Sequence, residues 1–439
     1  MKMNFYRLIS LSVLMCGLVV SAMAAEADVA PLYFTKLGSS ADENHGAQLE
    51  RWNQLMKYKL WGTHRLNFAN NTVSIADNTG YNGTADGNLT IRYNWHHIGG
   101  PTLVGGDFEF IDSEYDSLSM GPVRVLGDLQ VSNQGQNQME GNWCVQGNVY
   151  CQYGDGAGCL NAWNNIVTGQ VYSDDYSLSK RGGDYAECPP SVPELDTQIE
   201  IPVWPTPPSW EPGIRVGSNY PREVYFIHVP PDSVETNAYG TYDKYIESFF
   251  IGGSTQKKVF ILMPPGGKLT RIFSRDGFTF DNGANDLRLQ VAYIHPGVPY
   301  DRENKRWDIE IPASKANYPE QPANGSFWEF NDYDKFDTIQ NVDYAGNVLF
   351  YTTKDISWNY WVDANFQGSW MSTGTIHVGG HFKLAGQVLG NYLDFDAEVA
   401  GDFRYVPFNP PQLNPELFAG REYEETDVLE EIPFELDRV

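Results

Sequence analysis

Residues 121–151 read GPVRVLGDLQVSNQGQNQMEGNWCVQGNVYC. Twice in this stretch a glycine, a polar residue and an apolar-x-apolar triplet follow one another, as GDLQV from Gly127 and GNVYC from Gly147. The unit also occurs upstream, as GNLTI from Gly87 and GDFEF from Gly106, with spacings of 19, 21 and 20 residues. It returns near the C-terminus as GNVLF from Gly346, GHFKL from Gly380 and GDFRY from Gly401. Further glycines, Gly100, Gly121, Gly141 and Gly374, stand six residues before several copies. Short alternating segments at a period of about 20–22 residues are the mark of a β-solenoid, in which each coil is buried only by its neighbours. The glycines belong at corners, and the Asp or Asn after each suits a tight turn. The expected fold is therefore all-β: a right-handed parallel β-solenoid interrupted by a β-rich insert, with an N-terminal capping helix. An ordinary sandwich of hairpins is the competing reading.

Alternation assigns faces. Val123, Val125, Leu129 and Val131 take inward slots, as do Trp143, Val145, Val149 and Cys151, and Ile376, Val378, Phe382 and Leu384. The same count puts Arg124, Cys144 and His377 in one outward slot and His381 at a corner.

The flanks divide as follows. Lys2 and Arg7, the apolar run 8–20 and Ala22-Met23-Ala24 form a secretory signal peptide, 1–24. A lipoprotein cysteine at Cys16 is disfavoured by the bulky Met15 before it. Residues 25–65 carry the capping helix, from the box Ser40-x-x-Glu43 through Leu49, Trp52, Leu55 and Met56. The first solenoid half spans 66–160, and a Cys/Pro-rich linker spans 161–213. The β-rich insert covers 214–340, as a small sandwich or as irregular rungs. The second solenoid half covers 341–411 and an acidic tail 412–439.

A net charge of −26 argues against nucleic acid as a partner. The mature chain holds no run long enough to span a membrane. After signal cleavage four cysteines remain, Cys144, Cys151, Cys159 and Cys188, all within 45 residues. In an exported protein they read as one or two disulfides of open connectivity. The absence of CxxC speaks against zinc.

The stretch FQGSWMSTGTIHVGGHFKLAGQVL (366–389) and the rung ending GDFRYV (401–406) resemble exported bacterial β-helix surface proteins, of the choice-of-anchor-A and collagen-binding-like groups. Their glycine rhythm is also similar to that of polymer-forming bactofilins. The resemblance implies a non-catalytic structural or adhesive scaffold, exported to the cell surface, the periplasm or the medium. Its partner would be a surface polysaccharide, extracellular matrix or an envelope protein. No functional residue transfers with it.

Candidate chemistry is sparse. No GxSxG is present. Glu109, Asp112, Asp394 and Asp396 are the carboxylates that a β-helix polysaccharide lyase or hydrolase could use, 5–10 Å apart. DNGAND (281–286) and NDYDKFD (331–337) leave structural calcium open; no other cofactor is expected. Trp204, Trp210, Trp358, Trp361 and Trp370 are the aromatics that would stack on a glycan if the chain is a carbohydrate-binding protein. The rival assignment for them is the interior. His377 and His381 lack a second ligand set and are not assigned to a metal.

Overall fold

The computed structural model describes residues 50–69, 73–75, 80–92, 96–111, 118–132, 143–152, 166–167, 171–173, 193–204, 209–216, 224–229, 242–252, 257–263, 269–281, 287–294, 299–304, 306–307, 328–330, 342–358, 364–379, 382–395 and 403–408. The signal peptide, Ser40-x-x-Glu43, Cys159, Cys188, Trp361, Gly380, His381, Gly401, Asp112, Asp396, the segment 331–337 and the acidic tail lie outside them.

The chain is mostly β, dominated by one large parallel sheet. Its strands fall into three ladders, which each circuit of the chain visits in the same order. Tyr81–Thr84, Asn88–Arg92 and His96–Ile98 are one such circuit; Thr102–Val104, Phe108–Ile111 and Leu118–Met120 are the next. Ladders I, II and III denote the first, second and third strand of a circuit.

Pairing along ladder II fixes the order of stacking. From one end it runs Ile214–Val216, Phe249–Ile251, Phe278–Phe280, Ile356–Trp358, then 375–378 and 392–395. The next strand is the N-terminal 65–68, followed by Asn88–Arg92, Phe108–Ile111, Leu129–Ser132, Val149–Gln152 and Val171–Ser173. The stack therefore does not follow the sequence. Strand Tyr58–Phe68 is bonded on one side to 388–395 and on the other to 81–83 and 88–91. The described strands start in the middle at 58, run outward to 173, resume at the opposite end at about 211 and run back to the middle at 395.

Part of the return path is described. Burial, then Tyr81 and Asp196, raises the Tyr58 phenol well above its ordinary value, which sets Asp196 near that ring, and Ile199 and Ile201 are buried. A covering of this kind suits ladder I, whose strands are buried on both faces: Thr102–Val104, Val123–Val125, Trp143–Val145, Thr270–Ser274 and Val348–Thr352 show no exposed residue. A parallel strand covered on both faces reads as a continuous apolar run rather than an alternating one.

Three expectations change. The helix does not cap an end. Residues 50–55 are helical and bury Trp52 and Leu55, but the strand that follows lies mid-stack with neighbours on both sides. Of the two forms expected for 214–340, its described strands do not make a small sandwich and instead stack as irregular circuits, with 214–216, 242–251 and 270–280 in ladders I and II. Strands 224–228, 257–263 and 287–294 stack in ladder III. Finally, the seven glycine units are not all equivalent. Those from Gly87, Gly106, Gly127 and Gly147 open ladder II strands. The unit from Gly346 leads into ladder I, and GHFKL and GDFRY supply ladder III strands.

The four equivalent corners show why the motif repeats. Gly106 N–H donates to Gly87 O, Gly127 N–H to Gly106 O and Gly147 N–H to Gly127 O. Beside them the side chains of Asn88, Asp107 and Asp128 each accept from the backbone N–H of the next corner, at 2.9, 2.8 and 2.7 Å. A Cβ on Gly127 would lie 2.6 Å from Gly106 O and strike the Asp107 carboxylate, so the close stacking requires glycine.

Candidate functional site

The seam where the two halves of the chain meet gathers ionisable side chains on the outer row of ladder II. Strand 65–68 pairs with 392–395, setting Arg65 beside Tyr392 and Asn67 beside Asp394. Strand 375–378 sets His377 on the far side of Asp394. Alternation turns Leu66, Phe68, Leu393 and Phe395 inward, where all are buried, and leaves the polar residues outside.

Arg65 grips Asp394 with both ends of its fork, Nε to Oδ1 at 3.0 Å and Nη2 to Oδ2 at 2.5 Å. The Asp394 side chain is only 8% exposed. The Arg65 guanidinium stands 5.3 Å from the Tyr392 ring centroid, and His64 stands 5.5 Å from the same ring. His64 Nδ1 lies 2.8 Å from Asp86 Oδ1, and His377 Nδ1 lies 3.9 Å from Asp394 Oδ2. Asp394 is thus committed to a bidentate ion pair, the strong geometry for a carboxylate.

The other candidate carboxylate on this row is Glu109. It is reached from Asp394 through Asn67 and Thr90, three strands away. At about 4.8 Å per strand that is about 14 Å, beyond the spacing a glycosidase pair uses. The fold does not bring these two acids together.

The outward slot shared by Arg124, Cys144 and His377 also needs correction. Arg124 and Cys144 are register partners on ladder I, whereas His377 belongs to ladder II. Both Arg124 and Cys144 are buried because ladder I is covered on its outer face.

The aromatic candidates separate cleanly. Trp204, Trp358 and Trp370 are 5%, 4% and 0% exposed and cannot offer a face to a glycan. Trp358 and Trp370 belong to an interior cluster, in which Phe350 stacks on Trp370 at 4.0 Å and 10°. Trp210 is partly exposed and meets Tyr245 edge-on at 5.9 Å. Among the described residues no group of three His, Cys, Asp or Glu side chains is placed to hold a metal, and of the segment 281–286 only Asp281 is described.

A second ionic group lies on ladder I. Arg271 bonds Asp243 at 2.8 and 2.6 Å, with the two side chains 2% and 10% exposed. Tyr245 O–H donates to Asp243 at 3.2 Å. Burial, then the Asp243 charge, raises the Tyr245 phenol well above its ordinary value, so it stays a donor.

Sequence reading missed the Arg65–Asp394 pair because 329 positions separate the partners and only the order of stacking joins them. His64 and Asp86 carried a usable signal. They are 22 residues apart, one period of the repeat.

No protein-family model matches the chain, and neither the curated proteins nor the solved structures contain a significant match.

Proposed function

We propose that the three ladders are the faces of a right-handed parallel β-solenoid, and that the protein is an exported, non-catalytic structural or adhesive scaffold. The observation that carries the reading is the in-register stack of twelve ladder II strands with its glycine and Asx corners. Each neighbouring strand supplies backbone partners to the next, and parallel crossovers favour the right hand. The chain invests its conspicuous residues in the stack itself. Asp394 is tied to Arg65, Asp243 to Arg271, and three of the five candidate tryptophans are buried. These commitments favour a scaffold over a carbohydrate-binding protein or a polysaccharide lyase.

Export is supported by the N-terminal sequence and by the cysteines. No helix among the described residues is long and apolar enough to cross a membrane.

Fractionation of the native host with a membrane-impermeant surface label tests the assignment. Labelled protein in the envelope or medium is expected. Protein confined to the cytoplasm and protected from label would overturn it. Retention on insoluble cellulose, xylan or chitin would favour the carbohydrate-binding reading instead.

A further inference from the structure

The end of the stack that begins at about residue 211 carries a small appendage. Tyr300–Asp301 and Arg306–Trp307 pair as an antiparallel hairpin. Trp307 N–H donates to His228 Nδ1 at 2.9 Å, and its indole N–H donates to Val229 O at 2.8 Å. Tyr300 packs edge-on to the Trp307 ring at 5.0 Å, and Trp307 is 4% exposed. His228 ends strand Val224–His228, the terminal described strand of its ladder, opposite Leu262 of the neighbouring strand.

We infer that this hairpin is an acid-sensitive latch, closed while His228 is neutral and released when His228 takes a proton. The geometry dictates the direction. Because Nδ1 accepts from Trp307 N–H, the ring proton of the closed state sits on Nε2. A second proton can go only to Nδ1, where it faces an N–H donor and removes the bond. Two cations already act on the ring, Lys244 from strand Tyr242–Ile246 and Arg306 from the hairpin itself. Asp301 stands 3.9 Å from Arg306 and Glu211 accepts from Lys244 at 2.7 Å, and each offsets part of that charge. Hydrogen bonds from Asn304 hold Asp301 below its ordinary value, so it stays an anion as the pH falls. Burial, then Lys244 and Arg306, lowers His228 from 6.5 to about 4.

The sign follows from linkage. The open state binds the proton more readily than the closed one. Closure is therefore fully favoured above the ordinary histidine value, and is lost as the pH falls from about 6.5 towards 4. If opening exposes the ring fully, the opening equilibrium rises about tenfold per pH unit across that window.

Hydrogen exchange of the full chain, read by mass spectrometry and corrected for intrinsic rates, tests the latch. Between pH 6.5 and 4.5 peptides covering 300–307 are expected to lose protection steeply, while those covering 348–358 and 369–378 keep theirs. His228→Asn offers an acceptor oxygen near the Nδ1 position but does not titrate, and should hold the hairpin protected across the same window. Unchanged wild-type protection at 300–307 down to pH 4.5 overturns the latch, as does equal loss in His228→Asn. If that variant fails to fold, the wild-type comparison of 300–307 with 348–358 decides alone.

Discussion

The two halves of the stack solve one packing problem with different materials. From 81 to 173 the interior is aliphatic over most of its length, with Leu89, Ile91, Val104, Val123, Val125, Leu129, Val131, Val145 and Val149 all buried. The circuits there are near-constant in length, and their corners repeat glycine and Asx from one strand to the next. From 242 to 378 aromatic rings join the aliphatics Ile251, Ile272, Ile356 and Ile376 in the interior. Phe278 and Phe280 meet Trp370 edge-on at 5.5 Å, and Trp358 and Phe366 close the cluster. Ladder I strands there begin at 242, 270, 348 and 369, so the circuits vary widely in length. A regular half can rely on backbone repetition, since every corner bonds the next. An irregular half loses that repetition and compensates with large rings and a buried ion pair.

The sharpest way to break this contrast is to remove a ring. Trp370→Ala should cost about 3–5 kcal/mol, because it opens a large cavity at the centre of the ring cluster. The midpoint of urea unfolding followed by circular dichroism measures it, and a loss below about 1 kcal/mol would mean that the aromatic interior is not packed as described. The ion pair comes next. Asp243→Ala leaves Arg271 buried without its counter-charge, and about 3 kcal/mol should be lost in the same experiment. The regular half should respond more gently at any one corner. Asp128→Ala removes a single side-chain acceptor for the Asn148 N–H, and about 1 kcal/mol is expected, as for a lost helix cap. The smallest effect belongs to the seam. Arg65 is 46% exposed, so Arg65→Ala should cost at most about 1 kcal/mol, and the cost should shrink in high salt.

The same contrast explains what the sequence disclosed. The glycine units from 87 to 147 were legible because each stands at the same corner and is held there by the same backbone contact. The units at Gly346, Gly380 and Gly401 imitate the pattern but open strands of other ladders, since any ladder strand can carry Gly-x-apolar-x-apolar at its start. The segment 214–294 looked like an insert because long excursions between its strands erase the period. Its phase survives only in space, where Phe278 stacks on Ile356 and Phe249 on Phe278. The burial of Trp358 and Trp370 was only the rival to a glycan-stacking role in the sequence, because composition alone could not separate a packed interior from a display of aromatics. Nothing local signals that Asn67 meets Asp394, because the pairing joins strands from opposite ends of the chain.

The central claim is the order of stacking, with strands 58–68 and 388–395 at the middle and residues 173 and 214 at opposite ends. Spin labels at Tyr172 and Arg215, read by double electron–electron resonance, test it most directly. Eleven strand steps separate these positions along ladder II, so a distance of about 50 Å is predicted. A stack built in sequence order would make these two circuits neighbours, and a distance below about 20 Å would contradict the account.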